Sequence, residues 1–591
     1  MPFICISYKD ISASRGRQSI PAHFFHNRIT KDLIINVFKN ELSKLLLIAF
    51  LCLGNLSCSA AGTVTEDLNI RINQVGYFPD QVKLGVVFSK HPLKSTEFIL
   101  RDAATRKEKY RSVLSTNKGS WGNFPYHYYA DFSSVGDNGS YILEIGRKKS
   151  PVFKIGNALY EHIVDSLLTF LTVQRCGPTN PKLHKTCHLF DSPVVVGDNS
   201  VSKADITGGW HDAGDYLNFV NATALTTYML LLAYEQNKVN LQSDRNHNNV
   251  PDILEEARVG LDWLLRCNYK GTSLINQVQD MRDHDQSWRL PENDSLKYDR
   301  PAYRGIGKNV IGIYSASLAI ASRIWKEALH DEEFSKTLLS TAEKFYSVRN
   351  QVPDQDQTNS GMYVDRGYTA KLAIGAVELF KATNKTEYLT DAKALALRTQ
   401  PDFWWSWGDI NALAYFRIAP YASELKDYLL KNVTQFNSNK NANIFSEATS
   451  STWGTTNTLL GTALQVLFLK SLTGSSQFDS VATLQVDYIL GRNPWGVSFI
   501  YNFGTTFTKK FHSQIAFFND GYLPGGIAAG PAPQSVLKNY TIKREGHQYD
   551  EFNSSDVKYY DERMDFITNE PTIVTNATAI LLFSSPFFQR K

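Results

Sequence analysis

The chain has almost no net charge, few cysteines and no linker of low complexity. Its 62 lysines and arginines nearly balance 58 aspartates and glutamates, which leaves +4 over 591 residues, and no basic stripe is interleaved with aromatics. Nucleic acid is therefore not an expected partner. No Gly-Ser or Pro-rich stretch separates an N-terminal part from the rest, so we expect the domains to pack rigidly against each other.

An apolar segment at 45–53 is too short to cross a bilayer, and it predicts a secretory signal. Lys39 and Lys44 precede it and small residues follow it up to Cys58. Residues 1–59 are thus interpreted as a leader, with the true initiator near Val37. The run 55–58 resembles a bacterial lipoprotein box, which favours lipidation at Cys58 over plain secretion. The expected location is the outer membrane or cell surface, otherwise the periplasm or medium, with membrane contact only through the lipid.

Two periodicities divide the remaining chain. Alternating segments at 69–73, 84–88, 98–100 and 141–145 predict a small β-sandwich over 65–156. From Tyr160 onward the period becomes 3.6, and helical stretches are predicted at 222–234, 253–265, 310–325, 370–380, 458–472, 481–490 and 573–583. Paired helices with long loops favour an all-α toroid over 158–591.

The run GGWHDAGD at 208–215 carries the strongest chemical signal. It places Asp212 and Asp215 three residues apart on a Gly-rich turn ahead of a helix. Two carboxylates so spaced can share one water, and their mutual repulsion can separate their proton affinities, as in glycosidases. The alternative is that Asp212 caps a helix that begins near Leu217.

Further blocks follow in a characteristic order. They are Asp283-His284, Trp288 and Pro291-Glu292, then Trp453-Gly454 through Asn457, Gly491-Arg492-Asn493-Pro494, Pro524-Gly525, Gly530-Pro531, Asn569-Glu570 and Asn576-Ala577. Together with the 208–215 run they resemble glycoside hydrolase family 9, the inverting cellulases, over roughly 65–590. The resemblance implies an immunoglobulin-like sandwich followed by an (α/α)6 barrel.

The resemblance also implies roles for single residues. Asp215 would be the base, Asp212 would help to hold the water, and Glu570 would be the acid. His284, Trp288, Trp453 and His512 would line the sugar subsites. Without the resemblance, Glu570 could equally be a helix N-terminal charge near Pro571.

The chain departs from the family pattern at three places. It has Phe511-His512-Ser513-Gln514 where many relatives have His-His-Arg, and Phe566 where a Tyr commonly precedes the acid. The segment 365–371 lacks the usual Asp-Glu pair. These departures leave the catalytic carboxyls intact and bear on which glycan is bound.

Four residues predict a metal site beside the catalytic turn. Two thiolates and two imidazoles form the ligand set of a closed tetrahedral zinc site, and they come from Cys176, Cys187, His188 and His211. Certain family members share this pattern. The alternative is a disulfide between Cys176 and Cys187 in an oxidising compartment. Cys267, on a predicted helix, is interpreted as a core thiol.

A polar loop predicts a calcium site. Oxygen ligands at positions 1, 3, 5, 9 and 12, with a main-chain carbonyl at position 7, follow the calcium-loop spacing. They are Asp244, Asn246, Asn248, Asp252 and Glu255, with the carbonyl of Val250. The alternative is a loop in which Asp252 caps the helix that starts at Ile253.

These observations predict an exported β-1,4-glucan hydrolase that acts by inversion at internal bonds, as a monomer without an organic cofactor. Cellulose, mixed-linkage glucan and xyloglucan stay open as substrates. An exo-acting glycosidase such as a glucosaminidase is one alternative, and a glycan-binding surface lipoprotein with an inactive barrel is another. Asp212, Asp215 and Glu570 are all retained, which argues against the binder, since it needs none of them.

Overall fold

The structure is a computed structural model that describes residues 67–189, 195–196, 198, 205–294, 300–356, 365 and 367–590. The predicted leader and the lipoprotein cysteine Cys58 lie outside these residues. Among the described helices, none combines the length and the apolar character that a bilayer span requires.

The N-terminal part is a sandwich of two sheets. Its strands are β1 Leu68–Arg71, β2 Gly76–Tyr77, β3 Leu84–Ser89, β4 Glu97–Asp102, β5 Glu108–Val113, β6 Tyr126–Asp131, β7 Gly139–Ile145, β8 Lys148–Lys149 and β9 Phe153–Ile155. One sheet has the order β1-β3-β6 and the other β2-β9-β7-β4-β5, with β8 paired to β7. The pairs are antiparallel except β2 with β9.

The inward positions of both sheets form one apolar core that includes Val87, Phe98, Leu100, Leu143 and Phe153. The four predicted strands are present, each extended by one to three residues or shifted. The sequence pattern missed β5 and β6, because β5 alternates only charged with half-buried residues and β6 is rich in Tyr and His. The predicted sandwich is confirmed.

Twelve helices of eight or more residues follow in the described chain. They are α1 Ile163–Gln174, α2 Val220–Asn237, α3 Asp252–Arg266, α4 Lys308–Ala328, α5 Glu332–Ser347, α6 Thr369–Thr383, α7 Thr386–Arg398, α8 Asn411–Ile418, α9 Glu424–Ala442, α10 Thr455–Thr473, α11 Asp479–Ile489 and α15 Ile573–Phe583. Short helices α12 Gln514–Phe518, α13 Gln534–Leu537 and α14 Phe566–Asn569 lie in the loop before α15.

Six of these helices form a closed inner ring. Contacts run from α2 to α4, α6, α8, α10 and α15, and α15 returns to α2. The outer helices α1, α3, α5, α7, α9 and α11 pack against the ring. This is the expected (α/α)6 barrel.

The inner helices are buried on nearly all sides. Fifteen consecutive residues of α10, from Thr455 to Leu469, are buried, and α2 is buried almost throughout. The 3.6-residue period predicted both helices, but as inner helices they have no solvent face. The pattern also missed α1, α5, α7, α8 and α9, most of them in the outer ring.

Loops before the inner helices gather the predicted site residues at one end of the barrel. Because each outer helix returns the chain, the inner helices all begin at the same end. The 208–215 turn precedes α2, the 281–294 segment precedes α4, Trp453 precedes α10 and Glu570 precedes α15. The short strands β10 Val195–Val196, β11 Asn218–Phe219, β12 Asn268–Tyr269, β13 Ser273–Val278 and β14 Ala302–Arg304 also lie in these loops, as do β15 Ala532–Pro533 and β16 Val557–Lys558.

Strand pairing sets the 281–294 segment beside the catalytic turn. β11 pairs with β13, with Asn218 opposite Val278 and Phe219 opposite Gln277. The chain therefore leaves the 208–215 turn and enters the 281–294 segment at the same edge of a small sheet.

The sandwich is fastened to the barrel through the 491–494 turn. Asn73 donates from Nδ2 to Asp487 Oδ1 over 2.8 Å, and Arg71 donates from Nε to the carbonyl of Pro494 over 2.9 Å. Gly491 has φ +118°, and a Cβ there would lie 2.4 Å from Gln74 Nε2. The Gly-Arg-Asn-Pro block thus serves the joint between the two domains.

Candidate active site

The 208–215 turn is fixed by main-chain hydrogen bonds at both ends. Asp212 donates its amide to the carbonyl of Leu217 over 2.8 Å, and its own carbonyl accepts from the amide of Ile573 over 3.0 Å. Helix α2 begins only at Val220, with no side-chain cap. The alternative in which Asp212 is a helix cap is therefore wrong, and the turn is bound instead to the first residue of α15.

Gly214 allows the turn to touch the segment that carries Glu570. The amide of Gly214 donates to Glu570 Oε1 over 3.3 Å. A Cβ at Gly214 would lie 2.0 Å from the carbonyl oxygen of His512, a separation that no side chain tolerates. Only glycine lets the two carboxylates of the turn and the third carboxyl meet at one place.

Asp215 is held by two hydrogen bonds. His284 lies with Nε2 at 3.1 Å from Asp215 Oδ2, and the amide of Leu217 donates to Asp215 Oδ1 over 3.2 Å. The hydrogen bond to Asp215 raises the pKa of His284 to about 9, so His284 is a cation at neutral pH. The Asp215 carboxylate therefore faces a fixed positive charge.

The pKa values of Asp212 and Glu570 are both raised. Burial, reinforced by the charge of Asp215, raises the pKa of Asp212 to about 8. Burial and the same charge raise the pKa of Glu570 well above its usual value. Both shifts favour the protonated form of these two carboxyls, and a raised pKa is what a general acid requires.

A row of aromatic rings lies beside the carboxyl groups. Ring centroids are 5.2 Å apart for Trp288 and His512, 5.8 Å for His512 and Phe566, and 5.7 Å for Phe566 and Trp453. Tyr540 closes the row, 5.5 Å from Trp453 and 5.4 Å from Phe566. Trp453 and Tyr540 are about two-fifths exposed, which leaves faces free for sugar rings.

The structure thus brings together all four predicted subsite residues and adds Tyr540. No motif signalled Tyr540, because it lies in an irregular loop far from the matching blocks. His512 donates from Nδ1 to the carbonyl of Arg563 over 2.9 Å. Burial lowers its pKa, so the ring is neutral and keeps an acceptor at Nε2.

Gln514, one of the departures from the family pattern, fastens the catalytic turn. Its main-chain amide donates to the carbonyl of Gly214 over 3.3 Å. Its side-chain Oε1 accepts from the main-chain amide of Arg289 over 3.0 Å. Gln514 therefore joins the turn, α12 and the 281–294 segment.

The four predicted zinc ligands form one cluster. Their ligand atoms all lie within 4.8 Å of one another. Cys176 Sγ is 3.4 Å from His188 Nδ1, Cys187 Sγ is 3.9 Å from His211 Nε2, and the two nitrogens are 3.3 Å apart. A tetrahedral ion with Zn–S of about 2.3 Å and Zn–N of about 2.0 Å requires ligand separations of this size.

Three further observations bear on the cluster. Cys176 and Cys187 are free thiols, so the disulfide is not formed in this structure. His188 has a left-handed backbone, with φ 49°, and both side chains of the Cys187-His188 pair reach the cluster. Asp294 Oδ2 lies 3.0 Å from His188 Nε2. This contact orients Nδ1 toward the other ligands, as carboxylates do for metal-binding histidines.

The predicted calcium loop is partly preorganised. Asp244 Oδ1 accepts from the amide of Asn248 over 3.1 Å, and the amide groups of Asn246 and Asn248 face the Glu255 carboxylate. Asn249 has φ 67°, the left-handed conformation that calcium loops usually give to Gly at this position. Asp252 is instead paired with Arg245 over 2.6 Å. It is the first residue of α3 and not its cap, so the capping alternative is wrong.

Comparisons with known proteins agree with this architecture. The family model of glycosyl hydrolase family 9 matches residues 160–583, and that of the cellulase N-terminal ig-like domain matches 65–150. The xyloglucan-specific endo-β-1,4-glucanase of Bacteroides ovatus is 26% identical over 593 residues, covering 90% of this chain and 95% of that protein.

Solved structures show the same fold. A metagenome-derived glycoside hydrolase family 9 endoglucanase superposes with a TM-score of 0.75 at 25% identity, covering 88% of this chain and 98% of the other. A zinc-binding triple mutant of the family 9 endoglucanase J30 gives 0.74 at 22% identity, covering 87% and 100%.

Proposed function

The chain belongs to glycosyl hydrolase family 9, and from this premise we propose that it cleaves internal β-1,4 bonds of a glucan with inversion. The contact between Gly214 and Glu570 carries the proposal, since it sets a third carboxyl opposite the Asp212–Asp215 turn. An extended row of aromatic rings alongside favours a polymer over a short, pocket-bound sugar. A glycan-binding protein would not need the opposed carboxyls.

The reaction follows from the arrangement of the three carboxyls. Asp215 takes a proton from a water, whose oxygen attacks the anomeric carbon, while Glu570 gives its proton to the leaving glycosidic oxygen. Asp212, protonated at neutral pH, can donate a hydrogen bond to that water. His284 keeps Asp215 in place. After product release, Asp215 gives up the proton and Glu570 regains one from solvent.

We expect the first product of a β-linked glucan to be the α-anomer. Water activated by Asp215 attacks the face opposite the bond that Glu570 protonates, so a single displacement inverts the anomeric centre. Proton NMR of cello-oligosaccharide hydrolysis in the first minutes, before mutarotation, measures this. The β-anomer as first product would contradict the role given to Asp215.

The backbone linkage and the side-chain tolerance are separable experimentally. Purified protein incubated with cellulose, mixed-linkage glucan and xyloglucan, with products resolved by chromatography, tests the substrate. Products of mixed length at early times support internal cleavage, whereas release of monosaccharide alone would indicate the exo-acting alternative. The Bacteroides ovatus relative favours including xyloglucan in this panel.

Zinc is the metal that we propose for the four-residue cluster. Two buried thiols and two imidazole nitrogens at tetrahedral separations fit its ligand preference. Bound zinc supplies a closed structural cross-link there. Cys176, Cys187, His188 and His211 come from three separate chain segments, and His211 precedes Asp212 directly.

Elemental analysis is expected to return about one zinc per chain, and Cys187→Ser is expected to lose it, since a closed site needs all four ligands. Turnover and melting temperature should both fall, because the turn at Asp212 relaxes. Cys267→Ser is the matched control: Cys267 is a buried free thiol outside the cluster, so it should keep the metal. Absence of zinc together with a Cys176–Cys187 bridge by mass spectrometry would refute the site.

Two further parts of the proposal concern calcium and export. Calcium would bind the 244–255 loop through the oxygens of Asp244, Asn246, Asn248 and Glu255 and the carbonyl of Val250, with Asp252 released from Arg245. Export follows from the 45–53 segment, and Cys58 would carry the lipid. Isothermal titration with Ca²⁺ and mass analysis of the mature N-terminus measure these two parts directly.

A further inference from the structure

One chain of side chains joins the metal cluster to the catalytic turn. Asp294 contacts His188 Nε2 through Oδ2 and accepts from Arg289 Nε at Oδ1 over 2.6 Å. Arg289 also donates from Nη2 to Asp283 Oδ1 over 2.5 Å. The other oxygen of Asp283 accepts from the amide of Tyr216 over 3.3 Å.

The far end of this chain is the Asp215 carboxylate. Tyr216 follows Asp215 directly, and His284, which holds Asp215, follows Asp283 directly. One aspartate therefore controls both the main chain after the base and the histidine that contacts it.

Every member of the chain is shielded from water. The side chains of Asp283 and Asp294 are fully buried, and those of His188 and Arg289 are 2% and 12% exposed. Two buried carboxylates near each other repel, and the Arg289 guanidinium, which donates to both, offsets that repulsion.

Tyr216 adds a second contact between the two sites. Its ring centroid is 4.8 Å from that of His211 and 5.6 Å from that of His188. The Arg289 guanidinium lies 5.4 Å from the same ring centroid, and the Tyr216 hydroxyl donates to the carbonyl of Arg289. Displacement of either histidine would therefore move the residue next to the base.

We infer that Arg289 is a positioning residue that couples the metal cluster to the catalytic base, so that disorder at one site disturbs the other. The inference rests on the proposed function. In the wild type, His188 of the metal site contacts Asp294, and Arg289 holds Asp294 and Asp283 together. Asp283 in turn adjoins His284, which contacts Asp215. Without Arg289, this route between the two sites is lost. The bond of His211 to Asp212, the Tyr216–His211 contact and the Arg300 contacts with Cys176 and the Tyr216 carbonyl remain.

The geometry makes arginine specific at this position. Arg289 uses Nε for one aspartate and Nη2 for the other, a planar fork that lysine lacks. Arg289→Gln keeps a polar side chain and removes both bonds to carboxylates. Arg323→Gln is a matched control, because Arg323 is 14% exposed and bridges Glu235 and Glu378 at the opposite end of the barrel.

The experiment measures zinc retention and kinetics in the intact protein. Wild type, Arg289→Gln and Arg323→Gln are loaded with zinc, and the metal is withdrawn with a chromogenic chelator in the absence of substrate. We expect about 10–100-fold weaker retention for Arg289→Gln, the usual effect of a lost outer-sphere partner, and no change for Arg323→Gln. On glucan, Arg289→Gln should lower kcat with KM unchanged.

A cycle that combines Arg289→Gln with zinc removal tests the coupling itself. If Arg289 couples the two sites, removal of zinc lowers kcat by a smaller factor in Arg289→Gln than in wild type, so the effects are not additive. The inference would be overturned if the fold-losses in kcat from zinc removal and from Arg289→Gln multiply. It would also be overturned if Arg289→Gln retains zinc as well as Arg323→Gln does. A wild type that takes up no zinc would overturn it too. If Arg289→Gln does not fold, Asp294→Asn breaks the same chain and is judged by the same zinc measurement.

The outcomes also distinguish this inference from the proposed function. Zinc retention is measured without substrate, so an inactive wild type would contradict the proposed function and leave the retention comparison intact. An active wild type whose Arg289→Gln variant matches the control contradicts only the coupling.

Discussion

Glu570→Gln is expected to lower kcat on β-1,4-glucan by about 10²–10⁴-fold with little change in KM. An amide keeps the shape of the side chain and its acceptor oxygen for the Gly214 amide, but it has no acidic proton for the leaving oxygen. General acid catalysis contributes a factor of this size. Initial rates on cello-oligosaccharides measure the loss, and equilibrium binding of the same sugars checks that recognition is intact.

The pH profile provides a second readout of the same variant. Glu570 acts in its protonated form, so its raised pKa preserves activity at neutral pH, and activity falls as the pH rises through that pKa. Glu570→Gln should therefore lose the alkaline limb that Glu570 causes in the wild type. Glu447→Gln is the control, because burial raises the pKa of Glu447 to about 7 at a position away from the catalytic turn. Near-normal turnover in Glu570→Gln would remove it from the acid role.

Asp215→Asn is expected to reduce kcat by a comparable factor, about 10²–10⁴-fold. An amide cannot take the proton of the attacking water. The substitution also removes the carboxylate that raises the pKa of His284, so His284 should lose its charge at a lower pH than in wild type. Steady-state rates over pH 5–9 report both effects.

A rescue experiment separates a base from a structural role. Asp215→Ala leaves space beside the anomeric carbon, and azide, which needs no deprotonation, can attack there. Recovered turnover with an α-glycosyl azide product supports Asp215 as the base. If azide restores no turnover in Asp215→Ala and Asp215→Asn turns over at the normal rate, another residue is the base. Asp402→Asn is the control, since burial raises the pKa of Asp402 outside the cluster of the three carboxyls.

The site residues could be identified from the sequence to different degrees. The 208–215 run and Asn569-Glu570 marked the three carboxyls because their chemistry depends on local residue types and on a family pattern. Asp294 lies two residues beyond the Pro291-Glu292 block, so its proximity to a zinc ligand could have been suspected. Tyr540 carried no signal, because its ring partners Trp453 and Phe566 lie elsewhere in the chain. The carboxylate partners of Arg289 are only five and six residues away, but no motif marked these three residues as a unit.

From the sequence alone, periodicity predicted the two-domain organisation, and residue types together with the family resemblance predicted the carboxyls and the zinc ligand set. Tertiary structure decided how these groups act. Gly214 meets Glu570 across 356 residues, and only closure of the helical ring can bring them together. The same closure buries Asp212 and Glu570 and so raises their pKa. It also brings the 281–294 segment, which carries Arg289, against His188 and Tyr216. Proton affinity and contact across a barrel are properties of packing, which a linear pattern does not contain.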